Sequence, residues 1–374
     1  MRTVSNGYLI QLDGLRFVAV ALVLVDHWLA AINKIPLGPL GVTLFFVLSG
    51  FLITRILLVS KEKTAGKEGG LGSYLRKFFI RRTLRIFPVY YLSIFVLYVL
   101  NVPPVRETIW WCVLYATNIY VAVNQRWLGV IDHFWSLAVE EQFYIFFPFV
   151  IFFLPRKWLV PFLIFMTVLS VALRAYFYYQ GYEWVVNYVS MPTCLDSFAM
   201  GGFMAWLQLY RVETFKKVFS KTIWIWLGLA SWVLVVTWSK TNADINDPRT
   251  IHNVANDVWE RFFGSIFCFF LIGKSVLGFE GGMRWFLENP VSNYLGKISY
   301  GLYVYHNFVY NHFHSSPNHP TIRLLNKIYQ YLPALNGNMV FELVLFFALT
   351  TLVASLSWHF IEKPINNLKD RYAY

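Results

Sequence analysis

A run of apolar residues at 12–32, LDGLRFVAVALVLVDHWLAAI, is long enough to cross the ~30 Å hydrocarbon core of a bilayer, yet it holds Arg16, Asp26 and His27. Ionisable groups inside a membrane span are costly and mark cavities, relays or reaction paths. Arg16 and His27 are eleven positions apart. At ~100° and ~1.5 Å per residue they fall within about 20° of each other on one helical face and about 16 Å apart along the axis. The structural alternative is a histidine hydrogen-bonded between helices and an arginine snorkelling to the headgroups. Asp26 adds a second intramembrane charge but points about 100° away from His27, so it need not be the histidine's partner.

The remaining chain reads as more of the same. Of 374 residues, 57% are hydrophobic and 14% charged, which no soluble domain can accommodate. Aromatic residues make up 20%, suiting interfacial belts and tightly packed helices. We read an all-α polytopic membrane protein, a single domain over 1–374. Its ten spans are expected near 12–32, 38–59, 86–100, 136–154, 158–178, 192–210, 223–239, 258–273, 297–313 and 339–360. The first span is too long for the apolar core of a cleaved signal and is expected to be retained.

Segment 108–123 is apolar but short, and charge decides its reading. Left outside as a re-entrant or interfacial piece, it gives both termini a cytoplasmic location. About twenty-two of the 32 Lys and Arg residues then lie inside and about seven outside. Counting it as a crossing would invert everything after it and place the 211–221 basic cluster outside, against the positive-inside bias. The net charge of +12 is therefore mostly a cytoplasmic face, and no nucleic-acid partner is expected. Cys112, Cys194 and Cys268 are far apart and suggest neither a disulfide framework nor a metal site.

Three other groupings carry chemistry. Arg76, Lys77, Arg81, Arg82 and Arg85 precede the third span, with Arg82 and Arg85 on one face. Guanidinium groups suit bidentate phosphate binding, and the competing reading is a positive-inside or lipid anchor. FWSLAVEEQFY, at the outer entrance of the fourth span, holds Glu140 and Glu141 just after His133. The two carboxylates point in different directions, so one at most is expected to face the first span. They could orient a histidine or bind a hydroxylated acceptor; the plainer reading is a pair of helix-dipole partners. In SYGLYVYHN, Tyr300, Tyr303 and His306 form a rough stripe, commoner in packing than in cavities, and Ser49–Gly50 reads as close helix packing. The loop histidines His312, His314 and His319 lack an accompanying carboxylate and read as a solvated loop.

Taken together, LDGLRFVAVALVLVDHW with its Arg-x10-His, GVTLFFVLSGFLI, FIRRTLRIFPVYYL with its Arg-x-x-Arg, and FWSLAVEEQFY resemble the acyltransferase-3 membrane family. ISYGLYVYHN and SWHFIEKPINNL are weaker echoes, and the resemblance runs over almost the whole chain. It implies a ten-span core in the bacterial cytoplasmic (inner) membrane, taking an acyl group, commonly acetyl, from acyl-CoA at the cytoplasmic side. The acceptor it implies is a hydroxyl of an envelope glycan or glycolipid. A small metabolite such as a macrolide is the alternative acceptor. Carried over by motif, Arg16 and His27 are the essential pair and Arg82 and Arg85 the second motif. Arg81 joins the latter as a candidate for CoA phosphates, and Arg16 serves both sets. Glu140 and Glu141 fall in the family's acidic stretch, with Glu141 preferred, and Asp26 remains a catalytic candidate. Many relatives carry an additional SGNH hydrolase-like domain. None follows here before Tyr374, so the acyl group is expected either to be transferred directly or to pass to a separate periplasmic protein. No metal is expected. A proton-coupled transporter using Asp26, His27 and Glu141 as a relay is the non-enzyme alternative.

Overall fold

The computed structural model describes residues 8–64, 70–244, 247, 250 and 252–369, and all regular structure among them is helical. The first half comprises α1 (Ile10–Trp28), α2 (Leu37–Thr64), α3 (Gly70–Val99), α4 (Ile109–Val113), α5 (Thr117–Asn124), α6 (Phe134–Phe153), α7 (Arg156–Tyr179), α8 (Trp184–Val189) and α9 (Leu195–Tyr210). The second comprises α10 (Val212–Phe219), α11 (Ile223–Thr241), α12 (Arg261–Leu277), α13 (Gly281–Glu288), α14 (Pro290–Lys297), α15 (Ser299–Val309), α16 (Pro320–Tyr331), α17 (Met339–Ser357) and α18 (Lys363–Asn367).

Among the described residues, six helical stretches are long and apolar enough to cross a bilayer: α2, α3, α6, α7, α11 and the continuous stretch Met339–Asn367. The pair Ala255–Leu277 and Gly281–Glu288, bent by 87°, makes up to seven. Three of the expected spans take other forms. Helix α1 is continuous but carries Asp13, Arg16 and Asp26, α9 has only 16 residues, and α15 stops after 11 residues at an extended Tyr310. Such short or broken elements are tolerated at membrane depth where protein surrounds them. Segment 108–123 folds as α4 and α5, neither long enough to span. The basic segment before the third span is part of one uninterrupted helix, so the arginines of α3 and its apolar stretch share an axis.

Burial orders the bundle. Two thirds of the apolar window of α2 is inside (67%), against 17% for Met339–Asn367, so α2 is central and α17 peripheral. Outward positions such as Phe95, Phe153, Phe165, Leu234 and Val344 stay apolar, as lipid contact requires. The α2–α9 seam depends on missing side chains. A Cβ at Gly201 would lie 2.5 Å from the Phe51 backbone nitrogen, and one at Gly50 would meet the Phe198 carbonyl. Small residues of this kind let helix backbones approach where no hydrophobic drive separates lipid from protein. The turn Ala255–Glu260 entering α12 is a π-helix, a form frequent at functional sites.

Candidate active site

Two cavities open at opposite ends of α1. Arg16, near the helix start, lines a small one of about 100 Å³, and His27, near its end, lines a larger one of about 510 Å³. Val42 and Tyr303 line both, so the cavities abut. The expected arginine-to-histidine axis therefore runs from one chamber to the next.

The smaller chamber gathers Arg16, Arg82, Arg85, Ser49, Glu140 and Glu141. Arg16 is anchored by an ion pair to Asp13, which also accepts from the Tyr8 hydroxyl. The Arg82 guanidinium lies 5.0 Å from the centre of the Tyr144 ring. Ser49 does more than pack: its Oγ donates to Glu140 (2.7 Å) while the Tyr144 hydroxyl donates to Ser49 (3.0 Å). Glu141 is buried with Oε1 unpartnered. Both carboxylates border the chamber that Arg16 enters, Glu140 through its bond to Ser49 of α2. Arg81 stands apart from this lining; its Nη1 donates to the Lys369 carbonyl (3.2 Å).

The larger chamber contains the histidine whose surroundings the sequence left open. Asp26 borders it too, but its carboxylate accepts from Asn33 (2.7 Å) and closes on Gly38, where a Cβ would lie 2.6 Å from Oδ2. His27 instead faces α15. Its ring stacks on His306 with centroids 5.0 Å apart. Its Nδ1 lies 2.8 Å from His306 Nε2 and 3.1 Å from Asn307 Oδ1.

Proton positions follow from the partners. His306 Nδ1 is 2.6 Å from the Tyr303 carbonyl, an acceptor only, so it carries the proton and His306 Nε2 is bare. The Phe313 backbone N–H donates to Asn311 Oδ1, which turns Asn311 Nδ2 toward Asn307 Oδ1 (2.8 Å). Asn307 Nδ2 then donates to His133 Nδ1 (2.8 Å), and His133 Nε2 donates to the Val304 carbonyl (3.0 Å). Burial holds His133 neutral, pushing it well below the usual imidazole range. Facing two acceptors, His27 Nδ1 must hold its proton, which leaves Nε2 as a lone pair. The end of α1 is pinned as well: Trp28 donates to the Tyr310 carbonyl (3.0 Å), and the His312 backbone N–H to the His27 carbonyl (3.1 Å).

From the sequence, Tyr303 and His306 read as a packing stripe, His133 only as a neighbour of Glu140 and Glu141, and Asn307 carries no assignment. The dipeptide His306–Asn307 was the available signal, since adjacent polar residues inside an apolar helix need partners. The loop histidines are engaged too. His314 pairs with Asp132, whose carboxyl burial raises above its usual range while His314 draws it back down, and His319 caps α16.

Comparison with known proteins finds relatives along nearly the whole chain. A family model described as "Acyltransferase domain", the acyltransferase-3 family, matches residues 9–359. A Staphylococcus aureus (strain COL) protein provisionally named an O-acetyltransferase is 28% identical over 383 residues, covering 96% of this chain and 57% of its own length. O-acetyltransferase OatA of S. aureus (strain NCTC 8325 / PS 47) is 27% identical over 390 residues, covering 96% of this chain and 58% of its own. The chain thus spans a little over half the length of these relatives. No solved structure matches it.

Proposed function

The chain belongs to the acyltransferase-3 family, and from that premise we propose that it is a multi-pass membrane O-acyltransferase moving an acyl group, acetyl in the first instance, from acyl-CoA to a hydroxyl of an envelope glycan or glycolipid. The observation that carries this reading is the imidazole of His27, held in the larger chamber with Nδ1 protonated and Nε2 free, where that chamber abuts the arginine-lined one through Val42 and Tyr303.

The smaller chamber offers Arg16, Arg82 and Arg85, whose guanidinium groups suit the phosphates of CoA. The ~16 Å from Arg16 to His27 along α1 is comparable to an extended pantetheine arm, so a donor held by its phosphates would present the thioester near His27. By the positive-inside bias the arginine chamber faces the cytoplasm and the histidine chamber the opposite side.

In the reaction, His27 Nε2 removes the proton of the acceptor hydroxyl as its oxygen attacks the thioester carbonyl. The carbon–sulfur bond breaks, and the resulting imidazolium returns the proton to the departing thiolate. Neutral imidazole is matched to this exchange near neutral pH. His306 and Asn307 hold the ring so that the lone pair stays on Nε2. The OatA relatives, named O-acetyltransferases, support the acetyl and oxygen assignments. Purified chain should release CoA thiol from acetyl-CoA in the presence of acceptor, and His27→Ala should abolish that release. Full activity of folded His27→Ala would overturn the mechanism.

A further inference from the structure

The larger chamber differs in chemistry from the arginine chamber beyond it. Four carboxylates border it, Asp26, Asp132, Asp257 and Glu260, against one guanidinium, Arg261, with His314 paired to Asp132 and His252 beside Asp257. That guanidinium is already occupied, donating to the Tyr188 carbonyl (2.8 Å) and to Cys194 Sγ (2.8 Å). With acceptors outnumbering cationic donors, the chamber suits neutral or cationic ligands better than phosphate-bearing ones.

Its apolar wall is aromatic. Trp127 and Trp184 lie with ring centroids 6.0 Å apart, and Tyr188 is 5.8 Å from Trp184. His252 lies flat on Trp184 at 4.3 Å and 5°. Rings of this kind present broad, flat faces to a ligand with one apolar side. A second, independent observation at this wall is an unfilled acceptor. Asn187, 4% exposed, spends its Nδ2 on the Arg174 and Asp257 carbonyls (3.4 and 3.0 Å), and its Oδ1 has no partner. An unsatisfied buried acceptor bordering a chamber has capacity for one further donor, from a ligand or an ordered water. The π-turn at Ala255–Glu260 supplies Asn256, Asp257 and Glu260 to the same wall.

We propose that this chamber is the acceptor site, and that it binds a neutral or amine-bearing sugar unit, entering from the face opposite the arginine chamber. One face of the sugar lies on Trp127 and Trp184 while its hydroxyl or amino groups donate to Asn187 and the surrounding carboxylates. Another of its hydroxyls is presented to His27 Nε2. The volume of about 510 Å³ is within the range of small-molecule sites. This rests on the acyl-transfer reading and narrows it, because a wall richer in acceptors than in cationic donors disfavours phosphate-rich envelope polymers as acceptors.

The test separates binding from catalysis. The purified full chain in lipid nanodiscs is titrated with N-acetylglucosamine trisaccharide, its de-N-acetylated glucosamine counterpart, and a glycerol-phosphate oligomer of similar length, following tryptophan fluorescence. Either sugar should bind at least tenfold more tightly than the phosphate oligomer. Trp127→Ala and Asn187→Ala should each weaken sugar binding tenfold or more, with unchanged affinity for acetyl-CoA. Trp127 lies outside regular helix, so its variant keeps the test open if Asn187→Ala fails to fold. Tighter binding of the phosphate oligomer, no sugar binding, or variants that weaken acetyl-CoA and spare the sugar would each overturn the assignment. Sugar binding without thiol release would leave the site standing and refute the acyl-transfer reading instead.

Discussion

Replacing Asn307 with alanine isolates the device that prepares His27. In the native structure Asn307 accepts from His27 Nδ1 (3.1 Å) and from Asn311 (2.8 Å), and donates to His133 (2.8 Å). The truncation leaves His133 Nδ1 and Asn311 Nδ2 unpartnered in the interior. At ~1–3 kcal/mol for each orphaned group, stability should fall by about 2–6 kcal/mol. Catalysis should suffer separately. A positioned general base contributes ~10²–10⁴-fold, and losing one of the two acceptors on Nδ1 forfeits part of that. A cost of ~1.4–2.7 kcal/mol in the transition state corresponds to a 10–100-fold drop in kcat. Acetyl-CoA binding at the arginine chamber should be unaffected, so its KM stays unchanged. Initial rates of thiol release from acetyl-CoA, on folded protein in nanodiscs, read both numbers. The decisive arm is the double variant. If Asn307 acts through His27, Asn307→Ala adds little to His27→Ala, whereas independent roles would multiply. Undiminished kcat in folded Asn307→Ala, or a full additional loss in the His27→Ala background, would refute the positioning role.

Other perturbations address the rest of the path. Arg82→Ala and Arg85→Ala should each raise the KM for acetyl-CoA about tenfold or more, with a smaller change in kcat, because a charge-assisted contact contributes ~1.5–3 kcal/mol; an effect confined to kcat would place these arginines elsewhere in the reaction. Tyr303 lines both chambers, and its hydroxyl lies 2.5 Å from Ser136 Oγ. Enlarging it as Tyr303→Trp should narrow the passage and lower kcat by an order of magnitude while acetyl-CoA binding survives; an unchanged rate would mean the donor arm does not pass this wall. Gly201→Val, forcing a side chain against the α2 backbone, should cost about 1–3 kcal/mol or more, read as a lowered midpoint in detergent thermal unfolding, and an unchanged midpoint would show that the α2–α9 seam yields freely.

What the sequence determined by itself was whatever is written in composition and local periodicity. Apolar run lengths dictate a helical membrane protein, since only helices satisfy their own backbone without water. The eleven-residue spacing put Arg16 and His27 on one face, and the Arg82–Arg85 spacing put two guanidinium groups together, because helical geometry is local. The number of uninterrupted spans was less legible. Whether α9 and α15 run full length depends on neighbours that let short helices stand at membrane depth, and hydropathy does not record those neighbours. The partners of His27 were beyond reach for a stronger reason. Asn307 lies 280 positions away, and a hydrogen bond between distant helices leaves no period in either one. Asp26, adjacent in sequence, is turned instead toward Asn33 and Gly38. Arg81 and Arg82, neighbours in one motif, part company because successive helical residues point about 100° apart. Only the packing of α15 against the end of α1 decided which nitrogen of His27 is free, and only the meeting of distant loops with the π-turn before α12 made an acidic, aromatic chamber around it.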